Sequence, residues 1–323
     1  MPRGALNVLI VHGIGGYPNA FPDEFRQELL GCISTAVEDL VRRYRLPAAL
    51  PSDTVNIIPG RWGPVTEAIQ EELERRIFRS KVDFLRWFGM RIMGDVVAYR
   101  GAAVYEEVHR ALEEDLRSGV RPENGHLTVI AHSLGAVVAS DFLYDHTLKI
   151  ARPLVDTFGV GFSNFFTLGS PLVLYAMQSP GEGAFDAGRV LDRFDRPVRV
   201  ESPTGVWMNV FDDADIIGYP IRAINQAHTE AVTADVCTGV GTFLSRGNPL
   251  SHGRYWSDRR VVQLIAEKLA IDLAELHMGL EGPNLRQAVA DYVTRAASPS
   301  PCGPTAKPRG EQVMSRLARF AMG

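Results

Sequence analysis

The chain has 323 residues, of which 46% are hydrophobic and 22% charged, so it can bury the core of one large domain or of two smaller ones. Its formal net charge of −4 lacks the positive excess that neutralises a phosphate backbone, and no nucleic-acid partner is expected. The three cysteines, Cys32, Cys237 and Cys302, do not have the spacing of a metal site, and so small an odd number favours a reducing compartment over a disulfide scaffold.

The start of the chain leads directly into an apolar run and leaves no room for a signal peptide, which predicts a cytoplasmic protein. No apolar run reaches the roughly 20 residues that span a bilayer. The nearest approach, residues 84–99, is interrupted by Arg86, Arg91 and Asp95. We therefore expect a soluble protein, with peripheral membrane contact left open.

Short apolar runs alternate with longer segments whose apolar residues recur at helical spacing. The short runs predict strands over residues 6–11, 55–58, 127–131, 165–168 and 206–211. The longer segments predict helices over residues 25–40, 64–98, 104–116, 134–146, 258–276 and 284–297. This alternation predicts an α/β fold with a mostly parallel central sheet and helices on both faces.

The pattern places residues 1–280 in one domain and residues 281–323 in a C-terminal tail of helices and linker. Residues 64–98 are apolar over more than one helical stripe and form a predicted helical cap or lid insertion, or equally a helix packed on the core. Residues 176–205 are polar and rich in loop-forming residues. Residues 298–310, rich in proline and small polar residues, are a predicted linker.

The stretch VIAHSLGAVVAS puts Ser133 between a predicted strand and a predicted helix. This is the setting of a nucleophile elbow, a tight turn that exposes a serine above a sheet. The positions two before and two after the serine must be small, and Ala131 and Gly135 meet this requirement. The alternative is a serine that only caps the following helix.

With its AHSLG motif the chain resembles the α/β-hydrolase superfamily, especially the lipases and esterases. The resemblance implies an α/β-hydrolase fold and a triad in the chain order Ser, Asp or Glu, His. Of the downstream histidines, His146, His228 and His277 fall in helical patterns, whereas His252 lies in a Pro/Ser/Gly loop before a helix. His252 is therefore the predicted base.

The predicted acid follows the strand that ends at residue 211. Asp215 opens a D-x-x-x-x-P stretch similar to the acid loop of class 3 lipases, whose base also lies in an H-x-x-Y-W-like context, here His252 to Trp256. Asp215 is the predicted triad acid and Asp212 the alternate. Either carboxylate could instead belong to a solvated turn.

The early stretch HGIGG follows the first strand, where α/β-hydrolases build the oxyanion hole. The resemblance implies that the amides of Ile14 and Leu134 hold the oxyanion and that His12 is structural. A dinucleotide-binding loop is the competing interpretation, but Pro18 stands where GxGxxG needs its third glycine. A Walker A motif is absent as well, because no Gly-Lys-Ser/Thr follows.

Together these features predict a serine hydrolase that cleaves carboxylic esters of lipid or small-molecule acyl groups, with no cofactor and no metal. A thioesterase or acyltransferase is close in chemistry, and a non-catalytic interaction module with the same fold is the alternative from another class. Residues 64–98 and 176–205 match nothing in the family, and substrate choice is expected to reside there. No partner protein is identifiable from the sequence.

Overall fold

The structure of the chain is a computed structural model. It describes residues 4–13, 23–47, 54–65, 99, 101–121, 125–147, 151–176, 196–240 and 249–298. Ile14, residues 66–98 of the predicted cap, residues 177–195 and the chain from residue 299 onward lie outside this part.

The fold is built on a six-stranded sheet in the order β2-β1-β3-β4-β5-β6, and all neighbouring strands are parallel. The strands are β1 (Leu6–Val11), β2 (Val55–Gly60), β3 (Gly125–His132), β4 (Val160–Leu168), β5 (Val206–Phe211) and β6 (Ala234–Cys237). This confirms the predicted α/β fold with a parallel sheet. The four-residue β6 was not predicted, because so short a run carries little apolar signal.

Eight α-helices have both ends among the described residues. They are α1 (Asp23–Tyr44), α2 (Ala102–Gly119), α3 (Leu134–Thr147), α4 (Leu154–Phe158), α5 (Leu172–Ala176), α6 (Gln226–Ala231), α7 (Arg259–His277) and α8 (Gly282–Ala296). A 3₁₀ helix, Pro249–Ser257, precedes α7. None of the helices in the described residues has both the length and the apolar character needed to cross a bilayer.

Strand β1 shows how the core is divided into two layers. All six of its residues are buried, and successive side chains of a strand point to opposite faces. Leu6, Val8 and Ile10 pack in one apolar cluster with α1, α7 and α8. Leu9 and Val11 pack in the other cluster with α2, α3 and α4. A strand buried on both faces is mostly apolar, and the one polar residue of β1, Asn7, is satisfied because its side-chain amide donates to the Ala5 and Arg121 carbonyls and accepts from the Arg121 amide.

The predicted C-terminal tail begins with a helix that contacts the core. Helix α8, in the predicted tail, packs on the core through Leu285, Ala288 and Tyr292, all buried. The boundary at residue 280 itself stays a prediction.

The cysteines differ in chemical state. Cys32 is a free thiol, whereas Cys237 is disulfide-bonded and its partner lies outside the described residues. The cysteines therefore give no support to a reducing compartment, and the cytoplasmic location stays a prediction.

Candidate active site

The turn between β3 and α3 has the backbone of a strained elbow. Ser133 has φ +56°, and Arg45 is the other non-glycine residue of the described chain with a positive φ. This left-handed conformation is unfavourable for a residue with a Cβ and needs support from its surroundings. The Ser133 amide donates to the Leu168 carbonyl at the end of β4 over 2.9 Å. Ser133 itself is buried, at 4% exposure.

Small residues flank the elbow because backbones meet there. A Cβ added to Gly135 would lie 2.2 Å from the His12 carbonyl oxygen and 2.6 Å from that of Val11. Only glycine fits at this position, so the requirement anticipated from the sequence has a concrete cause. Ala131, two residues before the serine, is completely buried.

The loop after β1 lies directly against Ser133. A Cβ on Gly13 would stand 2.6 Å from Ser133 Cβ and 3.2 Å from Ser133 Oγ. Trp62 Nε1 donates to the His12 carbonyl over 2.9 Å, and the two rings stack with centroids 5.8 Å apart. This loop therefore borders the serine, although Ile14, one of the two predicted oxyanion donors, lies outside the described residues. The other predicted donor, Leu134, is the first residue of α3, where amides without an intrahelical partner concentrate.

Asp215 and His252 are joined by a buried hydrogen bond. His252 Nδ1 donates to Asp215 Oδ2 over 2.8 Å. The Ile217 amide donates to the other carboxylate oxygen of Asp215 over 2.9 Å, and the Tyr255 hydroxyl donates to Oδ2 over 2.8 Å. Burial raises the pKa of the Asp215 carboxyl, but these hydrogen bonds and the charge of His252 outweigh it and hold the pKa below its ordinary value. Asp215 is therefore an anion facing an imidazole.

Asp212 has a different set of partners. Its carboxylate accepts from the Ala214 amide over 2.8 Å and from the Val240 amide over 2.7 Å. Burial raises the pKa of the Asp212 carboxyl, and the two amides offset that effect only in part. These contacts tie the loop after β5 to the segment after β6. A third aspartate of this loop, Asp213, is exposed.

His252 lies in the 3₁₀ helix and not in an irregular loop, which corrects the local structure expected from the sequence. The Pro/Ser/Gly composition predicted a loop; 3₁₀ turns are frequent as connectors between elements, although a run of nine residues is unusually long. The other downstream histidines lie in helices as predicted: His146 in α3, His228 in α6 and His277 at the end of α7.

His132 connects the elbow to the predicted base. Its Nε2 donates to the His252 carbonyl over 2.7 Å, and the two imidazole rings have centroids 4.8 Å apart. Burial, reinforced by repulsion from His252, lowers the pKa of His132 to about 3. His132 is therefore neutral at physiological pH and acts here as a hydrogen-bond donor. The sequence contained this residue in AHSLG, but its pattern alone assigned no role to it.

Gly169 and Gly218 pack closely against the Asp215 carboxylate. A Cβ on Gly169 would lie 2.9 Å from Asp215 Oδ2 and 3.2 Å from His252 Cε1. A Cβ on Gly218 would lie 2.8 Å from the same oxygen. Gly169 opens the sequence Gly-Ser-Pro directly after β4, and this segment thus contributes its glycine to the site. Ser170 Oγ accepts from the Leu172 amide.

A further group of potential ligands lies near the opposite edge of the sheet. Its members, His126, Asp272 and Glu275, offer ligand atoms within 4.8 Å of one another. Lys268 forms a buried ion pair with Asp272 and already supplies a cation there. His126 is the second residue of β3, whereas Ser133 follows its last residue, so the group is separate from the candidate active site.

No protein-family model matches the chain. A segment of 77 residues is 39% identical to a mitochondrial protein of Schizosaccharomyces pombe described as a "probable phospholipase". The match covers 24% of this chain and 10% of that protein, so it spans only a small part of the relative. A solved structure described as a "putative cell surface hydrolase" from Lactobacillus plantarum WCFS1 shares 14% identity with a TM-score of 0.33, over 90% of this chain and 99% of the other.

Proposed function

We propose that the protein is a serine hydrolase that cleaves carboxylic esters with Ser133, His252 and Asp215. The observation that carries this proposal is the 2.8 Å hydrogen bond from His252 Nδ1 to the buried Asp215 carboxylate. It lies at the sheet edge that also carries a serine in a strained, positive-φ turn. Acid, base and nucleophile come from three separate segments, which is the arrangement of such triads.

In this mechanism each residue has one task. Because Nδ1 of His252 donates to Asp215, the neutral ring leaves Nε2 free of its proton and able to accept one. Ser133 attacks the ester carbonyl carbon while His252 takes the hydroxyl proton and passes it to the leaving alcohol. Water then attacks the acyl-enzyme while His252 accepts its proton, and His252 returns that proton to the Ser133 oxygen as the bond to the acyl group breaks and the acid is released.

The developing negative charge falls on the carbonyl oxygen in both steps. We assign its stabilisation to the Leu134 amide at the start of α3 and to the Ile14 amide of the loop after β1. The contact between Gly13 and Ser133 supports this assignment because it brings that loop to the nucleophile. Removing one such donor costs about 10²–10³ in turnover in enzymes of this kind.

Lipid acyl esters are the substrate class we favour. The support is the 77-residue similarity to a protein described as a phospholipase, together with the resemblance of the acid and base segments to class 3 lipases. A thioester would react by the same steps, so ester and thioester substrates must be compared directly.

A fluorophosphonate probe tests the enzymatic proposal. The wild-type protein should be labelled covalently, and Ser133→Ala should not, because the probe reacts with an activated serine. Ser170→Ala is the matched control, since Ser170 is also buried and follows β4 at the same sheet edge. Labelling of Ser133→Ala at the wild-type level, or no labelling of the wild type, would exclude the proposed mechanism.

A substrate panel tests the acyl preference. Turnover of p-nitrophenyl esters should rise with acyl chain length, and thioesters of matched length should react more slowly. A preference restricted to acetyl and butyryl groups would reject a long acyl pocket. Faster turnover of the thioesters would favour the thioesterase alternative.

A further inference from the structure

The hydroxyl of Tyr255 bridges Asp212 and Asp215 in the loop after β5. Tyr255 follows His252 by three residues in the 3₁₀ helix and is completely buried. Its hydroxyl donates to Asp215 Oδ2 over 2.8 Å and accepts from the Asp212 amide over 3.0 Å. The Tyr255 hydroxyl oxygen thus links the 3₁₀ helix that carries His252 to Asp212 and Asp215 in the loop after β5.

The ring of Tyr255 is confined to this position. A Cβ on Gly169 would lie 2.7 Å from its Cε2 atom, and a Cβ on Gly218 would lie 3.2 Å from its hydroxyl oxygen. The same two glycines border Asp215 Oδ2. The hydroxyl and the carboxylate therefore share one close-packed space that only glycine backbones can line.

Asp215 Oδ2 accepts from two donors at once. His252 Nδ1 and the Tyr255 hydroxyl both donate to it over 2.8 Å. Burial, with the charge of Asp215, raises the pKa of the Tyr255 hydroxyl well above its ordinary value, so the proton stays on the oxygen at all physiological pH values. A carboxylate that is already neutralised in part by one donor attracts a second proton donor less strongly.

We propose that Tyr255 is a positioning residue for the acid and base of the candidate triad: it orients the Asp215 carboxylate and limits how strongly this carboxylate holds the His252 imidazolium. The inference rests on the proposed function. Among the described residues, the titratable groups that face His252 are Asp215, the neutral His132 from β3 and Tyr255 from its own helix, with Asp212 on the far side of the Tyr255 hydroxyl. Of these, the Tyr255 hydroxyl can be deleted without changing any formal charge.

The test is the Tyr255→Phe variant. Without the hydroxyl, Asp215 should hold the imidazolium more strongly, and the acid limb of the kcat/KM profile should move up by about half to one pH unit. The turnover number at the optimum should fall about 3- to 30-fold because the carboxylate is less well oriented, whereas KM should change little. An unmoved acid limb would overturn the proposal, even if turnover or stability fell.

Tyr292→Phe is the matched control. Tyr292 is also buried, at 1% exposure, and belongs to the same apolar cluster as Tyr255, but it lies in α8, where the charges near its hydroxyl are those of Glu267, Asp272 and Arg295. The same removal of a buried hydroxyl should leave the pH profile at its wild-type position. A shift of equal size in both variants would show a general effect of lost packing and would contradict the specific role.

A titration that does not depend on turnover separates this inference from the proposed function. NMR of the ring protons of His252, assigned with a His252→Gln variant, should show a higher titration midpoint in Tyr255→Phe than in the wild type. If no substrate or probe reacts but this shift is seen, the proposed function is wrong and the positioning role stands. If the midpoint does not move while the wild type hydrolyses esters, the positioning role is wrong.

Discussion

Asp212 and Asp215 follow the same strand but accept hydrogen bonds from different partners. Asp215 accepts from His252, whereas Asp212 accepts from the backbone amides of Ala214 and Val240. Both carboxylates are buried at 4% exposure, so burial does not distinguish them. The distinction arises from where the loop points each side chain, which depends on tertiary contacts.

These contacts predict opposite phenotypes for two asparagine variants. Asp215→Asn should lower turnover by about 10³–10⁴, because an amide can present its N–H to His252 Nδ1 and reverse the tautomer. Asp212→Asn should stay within about tenfold of wild-type turnover but lose about 1–3 kcal/mol of unfolding free energy, because one buried backbone amide loses its acceptor. Steady-state kinetics and urea unfolding measure the two effects. A large loss of turnover only in Asp212→Asn would identify Asp212 as the acid.

At the scale of single elements, the β3–elbow–α3 unit depends on the approach of α3 to β1. Gly135→Ala should lower the unfolding free energy by more than about 3 kcal/mol or prevent folding, because the new Cβ would lie 2.2 Å from a backbone oxygen that cannot move freely. Chemical denaturation followed by circular dichroism measures the loss.

Gly31→Ala is the control for this change. Gly31 lies in α1, is exposed, and has nothing within 4 Å of the added Cβ. Alanine should stabilise that helix by about 0.5–1 kcal/mol, because glycine is a poor helix former. If Gly135→Ala were tolerated as well as Gly31→Ala, the close approach at the elbow would be wrong.

The elements that could be predicted from the sequence are those with a strong local pattern. Strands β1 and β5 have the predicted bounds, and the predicted helix over residues 258–276 differs from α7 by one residue at each end. Strand β6 was missed because its four residues gain their stability from pairing with β5. Propensity reports only on local preference, and tertiary pairing can override it.

The candidate site likewise combines residues that the sequence singled out with contacts that arise only in the folded protein. The sequence pattern and the family resemblance singled out Ser133, Asp215 and His252, and their catalytic roles stay predictions. The contributions of Gly169 and Gly218 arise from distances between segments far apart in the chain, which no spacing rule contains. Tyr255 was quoted in the base segment, but its two hydrogen bonds are a property of the folded loop pair.

At the scale of the whole molecule, a buried polar network joins α7 to the sheet. Lys268 pairs with Asp272, and Asp272 accepts from Asn164 over 2.7 Å. The Asn164 amide also donates to Thr128 over 2.8 Å, so the network reaches β3 and β4. Lys268 and Asp272 are 0% and 1% exposed, so water cannot compensate a lost partner.

Removing only the cation of this ion pair should lower the unfolding free energy more than replacing both charged residues. Lys268→Met should lower the unfolding free energy by about 3–5 kcal/mol, because it leaves the Asp272 charge buried without a cation. Adding Asp272→Asn should recover part of that loss, because the amide is neutral and keeps an oxygen for Asn164. Urea unfolding of the single and double variants measures the difference. A double variant less stable than Lys268→Met would contradict the ionic interpretation.

Buried neutral histidines should make the stability of the whole molecule depend on pH. Burial lowers the pKa of His132 to about 3 and that of His228 to about 4, whereas an unfolded histidine has an ordinary value of 6.5. As the pH falls below 6.5, the unfolded chain binds protons at these positions and the folded chain does not, so stability falls with pH. The loss is about 1.4 kcal/mol per pH unit for each histidine and ends for each one near its folded-state pKa.

Replacing His132 isolates its share of this pH dependence. Glutamine has no proton to gain in this range, and its amide can still donate to the His252 carbonyl, so His132→Gln should unfold with a flatter dependence on pH between 6 and 4. The slope should fall by about 1.4 kcal/mol per pH unit relative to the wild type, measured by urea unfolding at fixed pH values. His228→Gln should flatten the same curve independently, but only down to about pH 4, where His228 itself becomes protonated in the folded protein. Equal slopes for the wild type and His132→Gln would mean that His132 is protonated in the folded protein. His132 would then not be a neutral hydrogen-bond donor to the His252 carbonyl.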